Sequence, residues 1–221
     1  MYDRQPIIIC GCHGGGTSYV AKLLRYQGLF LGADAEPLSS RKYHESQAFR
    51  RANESILEEF GDKYGFREST VRTLPTYLRQ PGAAEALAKA TDIDGVLDKF
   101  WGNEDRTKVW GWKDPRNSLT FPIWRTFFPN ARAVVVRKKV DYKLARSPSG
   151  KWFREVASPW LREQYSEPTW LGGSEGCITV DFERVVTDVD VFNELMHFTA
   201  VSTIKPEEFS RVLTETAFEG L

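Results

Sequence analysis

The chain has few cysteines and no excess of either charge. Its three cysteines, Cys10, Cys12 and Cys177, are too few for the disulfide framework of a small extracellular domain. Cys10 and Cys12 also lack a second pair of ligands, so buried thiols explain them better than a metal site. The 30 basic residues balance the 30 acidic ones, which argues against a general affinity for nucleic acid or an anionic membrane. Any anion binding must come from a local basic cluster.

Long apolar runs are missing as well. No segment approaches the ~20 apolar residues of a membrane-spanning helix, so we expect no membrane span. Residues 1–6 place an acidic side chain before a short apolar run, which does not resemble a signal peptide. We therefore expect a cytoplasmic protein. A length of 221 residues suits a single domain, residues 1–221, with one sizeable core.

Short strand-like runs alternate with longer helical patterns along the chain. Apolar runs predict strands at about 6–11, 107–112, 131–137 and 177–181. Helical periodicity predicts helices at about 17–27, 45–60, 82–100, 118–127, 139–146, 151–165, 183–199 and 206–216. Residues 61–82, with two prolines, are expected to form a long surface excursion. This alternation predicts an α/β fold, a three-layer α/β/α arrangement around a central parallel sheet.

The first predicted strand continues directly into a glycine-rich turn. The sequence Gly11-Cys-His-Gly-Gly-Gly-Thr-Ser18 separates this strand from an apolar-periodic helix. A turn of this kind presents backbone N–H groups to a phosphate at the helix N-terminus. The spacing nearly fits the ATP/GTP phosphate loop, but Thr17 stands where that loop has its lysine. The turn therefore predicts an anionic nucleotide as ligand and argues against ordinary NTP hydrolysis.

Cations follow two other predicted strands. The segments just after the later strands are Lys113-Asp-Pro-Arg116, Arg137-Lys-Lys139 and Asp181. Ligands of parallel sheets bind at the carboxyl ends of the strands. We therefore expect these residues to lie at the same edge of the sheet as the glycine-rich turn.

Three blocks of this sequence resemble the P-loop sulfotransferase superfamily, and most closely its bacterial branch. They are His13-Gly-Gly-Gly-Thr-Ser18, the stretch from Trp110-Gly-Trp-Lys-Asp-Pro-Arg116 to Arg137, and Ile178 to Asp188. The blocks are spread over most of the chain, from residue 13 to residue 188. The resemblance implies the P-loop NTPase-like sulfotransferase fold. It also implies transfer of a sulfuryl group from 3′-phosphoadenylyl sulfate (PAPS) to a hydroxyl or amine of a carbohydrate, lipid or small molecule, with 3′-phosphoadenosine 5′-phosphate (PAP) as product.

The resemblance implies two sets of donor contacts. Arg137 is similar to the arginine that holds the 3′-phosphate of the donor, a task suited to a planar guanidinium. Ser147 is the implied serine partner of this arginine if two residues are inserted, since Ala145 stands at the family's usual position. The residues similar to the loop that binds the 5′-phosphosulfate are Cys12, His13, Gly14, Gly15, Gly16, Thr17 and Ser18.

The resemblance also implies the catalytic groups. Lys113 matches the family's strand lysine and is expected to stabilise charge on the bridging oxygen. Glu45 and His44 are the candidate bases; Glu45 matches the family's acidic position, although it also suits the start of a helix. The family usually has a basic side chain where this chain has Gly14, and His13 is expected to approach the same oxygens instead. No metal is expected, because a sulfuryl group carries less charge than a phosphoryl group.

Three other functions are compatible with parts of the sequence. Gly14 and Ala145 depart from the family pattern, which suits a nucleotide-binding module that has lost transfer activity. A P-loop kinase is disfavoured by Thr17. Residues 172–176 fit the G-x-S-x-G pattern of an esterase-like hydrolase, but the predicted strand follows Ser174 instead of preceding it.

Overall fold

A parallel four-stranded sheet forms the centre of the molecule. The computed structural model describes residues 5–37, 44–138, 159–168 and 176–216. Each pair of neighbouring strands is parallel, and the strand order is β2-β1-β3-β4. The predicted α/β fold with a parallel sheet is confirmed. The strands are β1 (Ile7–Gly11), β2 (Gly111–Lys113), β3 (Arg132–Arg137) and β4 (Cys177–Asp181).

Helices occupy most of the remaining described chain. They are α1 (Thr17–Tyr26), α2 (Gln47–Glu58), α3 (Glu68–Leu78), α4 (Ala83–Lys89), α5 (Ile93–Trp101), α6 (Asn117–Phe127), α7 (Pro159–Ser166), α8 (Phe182–Val185), α9 (Val189–Thr199) and α10 (Pro206–Thr216). None of these described helices has the combination of length and apolarity needed to cross a membrane. The helix predicted at 139–146 and the start of the one predicted at 151–165 lie outside the described residues.

Two predicted helices are each divided by an aspartate. Asp92 accepts a hydrogen bond from the Gly95 N–H at 3.0 Å and begins α5, so the region 82–100 contains α4 and α5. Asp188 accepts hydrogen bonds from the N–H groups of Asp190 and Val191 and begins α9 in the same way. An aspartate at the N-cap satisfies N–H groups that lack an acceptor within the helix, so it favours a new helix at that point.

The core lies on both faces of the sheet. Ile7 and Ile9 contact one apolar layer that includes α1 and α9, whereas Ile8 contacts another that includes α2, α5 and α6. The second layer is rich in aromatic rings; Phe49 stacks on Trp112 with ring centroids 3.8 Å apart. All three isoleucines are fully buried, as expected for a central parallel strand covered by helices on both sides. The arrangement is therefore three-layered.

The expectation of a surface excursion at residues 61–82 is wrong. This region contains α3, whose Val71 and Leu74 are buried. Both side chains belong to a third apolar cluster that also includes Leu57 of α2 and Leu119 of α6. The spacing of three residues places Val71 and Leu74 on one helix face. Packing of that face against α2 and α6 explains why the segment is helical despite its prolines.

Candidate active site

The glycine-rich turn has a backbone shape that glycine favours. Gly14 and Gly16 have φ angles of 76° and 88°, in the left-handed region that other residues adopt only at a cost. The Gly15 N–H donates to the Cys12 carbonyl oxygen at 2.9 Å, which closes the turn. A Cβ atom on Gly16 would lie 2.3 Å from the ring of Phe182. Larger residues at Gly16 would therefore disrupt both the turn and its packing.

The glycine-rich turn leads directly into helix α1. Tyr19 donates its N–H to the Gly16 carbonyl oxygen, so the helix starts immediately after the glycines. The first N–H groups of a helix have no acceptor within it, and the helix dipole is positive at this end. Thr17 and Ser18 occupy these first positions. A helix N-terminus of this geometry suits an anionic ligand.

Lys113 joins the loop to a carboxylate. It ends β2, beside Ile9 of β1, and is only 2% exposed. Its Nζ donates to Ser18 Oγ at 3.1 Å and to Glu45 Oε1 at 2.8 Å. The structure therefore brings together three residues that the sequence analysis placed in the site, from three separate segments.

Glu45 does not act as the cap of α2. The cap is Ser46, whose Oγ accepts the N–H of Phe49. The Glu45 N–H donates to Glu36 Oε2 at 3.1 Å, which holds the backbone ahead of the helix. Burial raises the pKa of the Glu45 carboxyl, while the nearby Lys113 ammonium acts in the opposite direction. Glu45 is thus a buried carboxyl whose proton affinity is high for a glutamate.

The two histidines of the predicted site have different surroundings. His44 is fully buried and has a φ angle of 50°, an uncommon value for a residue with a side chain. His13 lies in the loop, with its ring 5.0 Å from Phe66 and 5.5 Å from Tyr165. Burial, reinforced by Arg116, lowers the pKa of His13 to about 3. The His13 ring is therefore neutral near pH 7 and brings no positive charge to the loop.

A buried polar network stabilises the segment that directly follows Lys113. Asp114 is fully buried and accepts hydrogen bonds at 2.9 Å from both the N–H and the Nε of Arg116. The Arg116 guanidinium also donates to Glu54 Oε1 at 2.8 Å. Burial opposes ionisation of Asp114, but Arg116 outweighs it and lowers the pKa of that carboxyl. The ion pair therefore stays charged inside the protein.

Asn53 and Asn117 complete this network. The Asn53 Nδ2 donates to Asp114 Oδ2 at 3.0 Å and to Asn117 Oδ1 at 2.9 Å. Its Oδ1 accepts from Thr120 Oγ1 at 2.6 Å and from Trp124 Nε1 at 2.9 Å. Asn117 in turn donates to the Ile9 carbonyl oxygen at 3.1 Å. The network links α2, α6 and β1 and so fixes the segment that follows Lys113.

Sequence reasoning did not assign a function to these supporting residues. Asp114 and Arg116 were noted only as residues after a strand. A signal was available, since a charged pair directly after a buried tryptophan-rich strand requires partners inside the protein. Asn53 gives no comparable signal, because its partners lie more than sixty positions away in the chain.

Arg137 lies on the other side of the loop. It ends β3 and its side chain is 39% exposed. Its guanidinium contacts Glu167, the residue after α7, at 2.8 Å and lies 3.8 Å from Asp181 of β4. Ser147 lies outside the described residues, as do residues 172–175 of the esterase-like pattern. The predicted donor contact of Ser147 and the 3′-phosphate role of Arg137 stay predictions.

The described residues contain no group of three or more His, Cys, Asp or Glu side chains arranged to hold a metal ion. The expected absence of a metal stays a prediction. Cys10 is buried, and this burial raises the pKa of its thiol. Cys12 is buried as well. Both thiols therefore belong to the interior.

Fold and site together define an α/β protein with a glycine-rich loop and a helix N-terminus at the carboxyl edge of a parallel sheet. No protein-family model matches the chain, and no curated protein matches its sequence. One solved structure to which the chain is similar is the sulfotransferase STF1 from Mycobacterium tuberculosis H37Rv. The two chains are 13% identical, the alignment covers 98% of this chain and 72% of the other, and the TM-score is 0.47. So distant a similarity transfers neither a ligand nor a residue role.

Proposed function

We propose that the protein is a PAPS-dependent sulfotransferase with a hydroxyl or amine acceptor. The observation that carries this proposal is the position of Lys113. Its buried ammonium joins the Ser18 hydroxyl, at the start of α1, to the Glu45 carboxylate. A cation, an anion-binding loop and a base thus meet at one point, which is the combination that sulfuryl transfer requires.

The order of the strands suits a donor with two anionic groups. β1 carries the loop and lies between β2 and β3, so Lys113 and Arg137 flank the loop on opposite sides. Their strands are two strand spacings apart, about 10 Å. On this proposal the loop N–H groups hold the 5′-phosphate of the donor. Arg137 binds the 3′-phosphate with its partly exposed guanidinium.

The proposed step moves a sulfuryl group without any change of oxidation state. The acceptor oxygen or nitrogen forms a bond to sulfur, and the bond from sulfur to the 5′-phosphate oxygen breaks. The electron pair of the broken bond leaves with that oxygen, which Lys113 stabilises as charge develops. Glu45 takes the acceptor's proton. Lys113 has a second effect, since its ammonium favours the ionised form of Glu45 before transfer.

A transfer assay with labelled donor tests this proposal. The purified protein is incubated in EDTA with PAPS carrying ³⁵S and with a panel of sugars, phenols and amines. We expect label on at least one acceptor and loss of that transfer in Lys113→Ala. Lys108→Ala is a matched control, because Lys108 is exposed and pairs only with Glu104 among the ion pairs described. Magnesium-dependent binding of ATP in place of PAP, measured in a separate titration without EDTA, would contradict the proposal.

A second candidate is a PAP-binding module without transfer activity. The observation that favours it is the pKa of His13, which is lowered to about 3 and leaves the loop without a cation next to Gly14. The same assay separates the two functions. Tight PAP binding with no labelled product on any acceptor of the panel indicates the module, whereas labelled product indicates the enzyme.

A further inference from the structure

Strand β2 ends before it can pair with the last residue of β1. Ile7 donates its N–H to the Trp110 carbonyl oxygen at 2.9 Å. Partners in a parallel ladder advance by two residues on each strand, so the Gly11 N–H would pair with the Asp114 carbonyl oxygen. The chain has already turned there, and this oxygen accepts the Asn117 N–H at 3.0 Å instead. The residue that begins the glycine-rich turn therefore needs another acceptor.

Ser118 supplies this acceptor. Its Oγ accepts the Gly11 N–H at 3.1 Å, although the two residues are 107 positions apart in the chain. Ser118 lies in the first turn of α6, and both residues are buried, so bulk water is not an alternative acceptor. A buried N–H without an acceptor is strongly disfavoured. The Ser118 hydroxyl therefore determines where β1 ends and the turn begins.

The same hydroxyl also holds α7. Ser118 Oγ donates to the Tyr165 carbonyl oxygen at 2.8 Å. Tyr165 lies in the last turn of α7, where carbonyl groups have no donor within the helix. Its ring packs beside the His13 ring, with centroids 5.5 Å apart. One buried hydroxyl thus joins the start of the turn to the helix that packs against His13.

Gly11 has little freedom to move between its neighbours. Its φ angle is 139°, and a Cβ atom there would lie 2.3 Å from the Val136 carbonyl oxygen of β3. Gly11 is therefore held between β3 on one side and Ser118 on the other. The N–H groups that we assign to the 5′-phosphate follow at residues 14–18. Loss of the contact with Ser118 would let Gly11 shift, and these N–H groups would shift with it.

We propose that Ser118 is a positioning residue of the donor site; this inference rests on the sulfotransferase function proposed above. Its hydroxyl bonds to the protein and acts through Gly11. It orients the N–H groups of the glycine-rich loop toward the 5′-phosphate of the donor. Ser118 should therefore control the affinity for the 5′-phosphate, whereas Arg137 controls the affinity for the 3′-phosphate.

A cavity beside Ser118 makes a conservative variant possible. The cavity has a volume of about 240 Å³ and is lined in part by Leu78, Leu119 and Pro122. It offers space for one added methyl group. Ser118→Thr keeps the hydroxyl, Ser118→Cys replaces it with a weakly accepting sulfur, and Ser118→Ala removes it. The three variants form a series in which the hydrogen bond to Gly11 becomes progressively weaker.

Calorimetric titration of the full chain with PAP, 5′-AMP and adenosine tests the proposal. We expect Ser118→Ala to weaken binding of PAP and 5′-AMP by the same factor, about tenfold, because a buried N–H of the loop is left unpaired. Adenosine has no phosphate and should bind equally to the wild type and the variant. Ser118→Thr should restore the affinity for both nucleotides, and Ser118→Cys should lie between the two.

Thr199→Val is the matched control. Thr199 is fully buried in α9, where its hydroxyl donates to the Leu195 carbonyl oxygen at 2.9 Å. Valine keeps the shape of the side chain and removes a buried hydroxyl that bonds within α9. This variant should lower the stability to urea and leave PAP affinity unchanged. An equal loss of PAP affinity in Thr199→Val and Ser118→Ala would overturn the positioning role.

The amide signals of the loop give a readout that requires no nucleotide. In ¹H–¹⁵N spectra, Ser118→Ala should shift the signals of residues 14–18 and accelerate hydrogen exchange of the Gly11 N–H by about tenfold or more. Ser118→Thr should restore both, and Thr199→Val should change neither. If Ser118→Ala does not fold, Ser118→Cys replaces it in both measurements, with changes in the same direction.

The outcomes separate this inference from the proposed function. If PAP binds and Ser118→Ala changes neither affinity nor the loop signals, the role of Ser118 is overturned while the donor function stands. A loss for PAP alone, or an equal loss for adenosine, would also overturn it. If the wild type binds none of these ligands, the donor function fails, and the loop signals decide whether Ser118 positions the turn.

Discussion

Two cations flank the glycine-rich loop, and they are held in opposite ways. Lys113 is buried between Ser18 and Glu45, with the Asp114–Arg116 pair next to it in the chain. Arg137 is 39% exposed and contacts Glu167, which is itself 56% exposed. A buried group with fixed partners is preorganised for chemistry, since its position does not need to be reached during the reaction. An exposed group with a replaceable partner is suited to receive a ligand.

The energetic consequences of the two arrangements differ as well. Removal of one partner from a buried ion pair costs about 3–5 kcal/mol, because the other charge remains buried. Exposed ion pairs contribute about 0–1 kcal/mol. Changes on the Lys113 side should therefore affect turnover and stability strongly. Changes on the Arg137 side should affect nucleotide affinity and leave the fold intact.

Glu45→Gln should have the largest effect. If Glu45 is the base, turnover falls by about 10²–10⁴-fold, the usual contribution of general base catalysis. The pH profile is the more specific readout. A base must be ionised, and the pKa of Glu45 is raised above the ordinary glutamate value of 4.5. As the pH is lowered, wild-type activity should therefore begin to fall at a higher pH than an ordinary glutamate would give. This acid limb should be absent in the variant. If the activity of Glu45→Gln still falls at low pH as in the wild type, another residue is the base, and His44 is the next candidate.

Lys113→Ala should lower turnover by about 10²-fold, which corresponds to about 3 kcal/mol of lost transition-state stabilisation. PAP affinity should change little, because on the proposed function the loop and Arg137 supply most contacts to the nucleotide. Steady-state kinetics and PAP titration measure the two quantities separately. Unchanged turnover would remove Lys113 from the mechanism. It would also contradict the distinction between a catalytic Lys113 and a ligand-binding Arg137.

Asn53→Ala should destabilise the protein by about 2–4 kcal/mol, because four hydrogen bonds of buried groups are lost at once. Urea unfolding measures the loss. Asn103→Ala is the matched control; Asn103 is exposed, and its change should stay within about 0.5 kcal/mol. Equal stability of the two variants would mean that the network behind Lys113 does not support the fold.

Arg137→Ala should weaken PAP binding by about tenfold or more, the contribution of charged hydrogen bonds to a phosphate. Binding of 5′-AMP, which lacks the 3′-phosphate, should change little. Arg137→Lys should recover only part of the affinity, because lysine cannot form two parallel hydrogen bonds. Equal losses for PAP and 5′-AMP would refute the assignment of Arg137 to the 3′-phosphate.

Glu167→Gln should produce the smallest effect, an increase in PAP affinity of about twofold. On the proposed function, the substitution removes an anion that competes with the 3′-phosphate for Arg137. Both side chains are partly exposed, so the gain is limited. Glu163→Gln in α7, the helix that precedes Glu167, is the control, since Glu163 is exposed and has no described ion pair with Arg137. A similar gain in the control would indicate a general charge effect on PAP binding.

The sequence predicted the parts of this molecule that depend on local patterns. The strands β1, β3 and β4 follow from apolar runs, whereas β2 is shorter than the strand predicted at 107–112 and ends at Lys113. The loop follows from glycines between a strand and a helix. Lys113 and Arg137 could be placed at one sheet edge because the strands are parallel. The contact of Lys113 with Glu45 could not be predicted from patterns alone, since 68 positions separate them. Helix α3 was missed because the prolines of residues 61–82 predict a break, whereas the burial of Val71 and Leu74 that stabilises the helix depends on contacts with α2 and α6.

The comparison of PAP with 5′-AMP in the unmodified protein tests the central claim most directly. Calorimetric titration in EDTA measures both affinities under conditions in which divalent metal ions are removed. We predict tight binding of PAP and at least about tenfold weaker binding of 5′-AMP, since the 3′-phosphate adds charged hydrogen bonds to Arg137. Equal affinity for the two nucleotides, or no binding of either, would contradict the assignment of this loop to a PAPS donor.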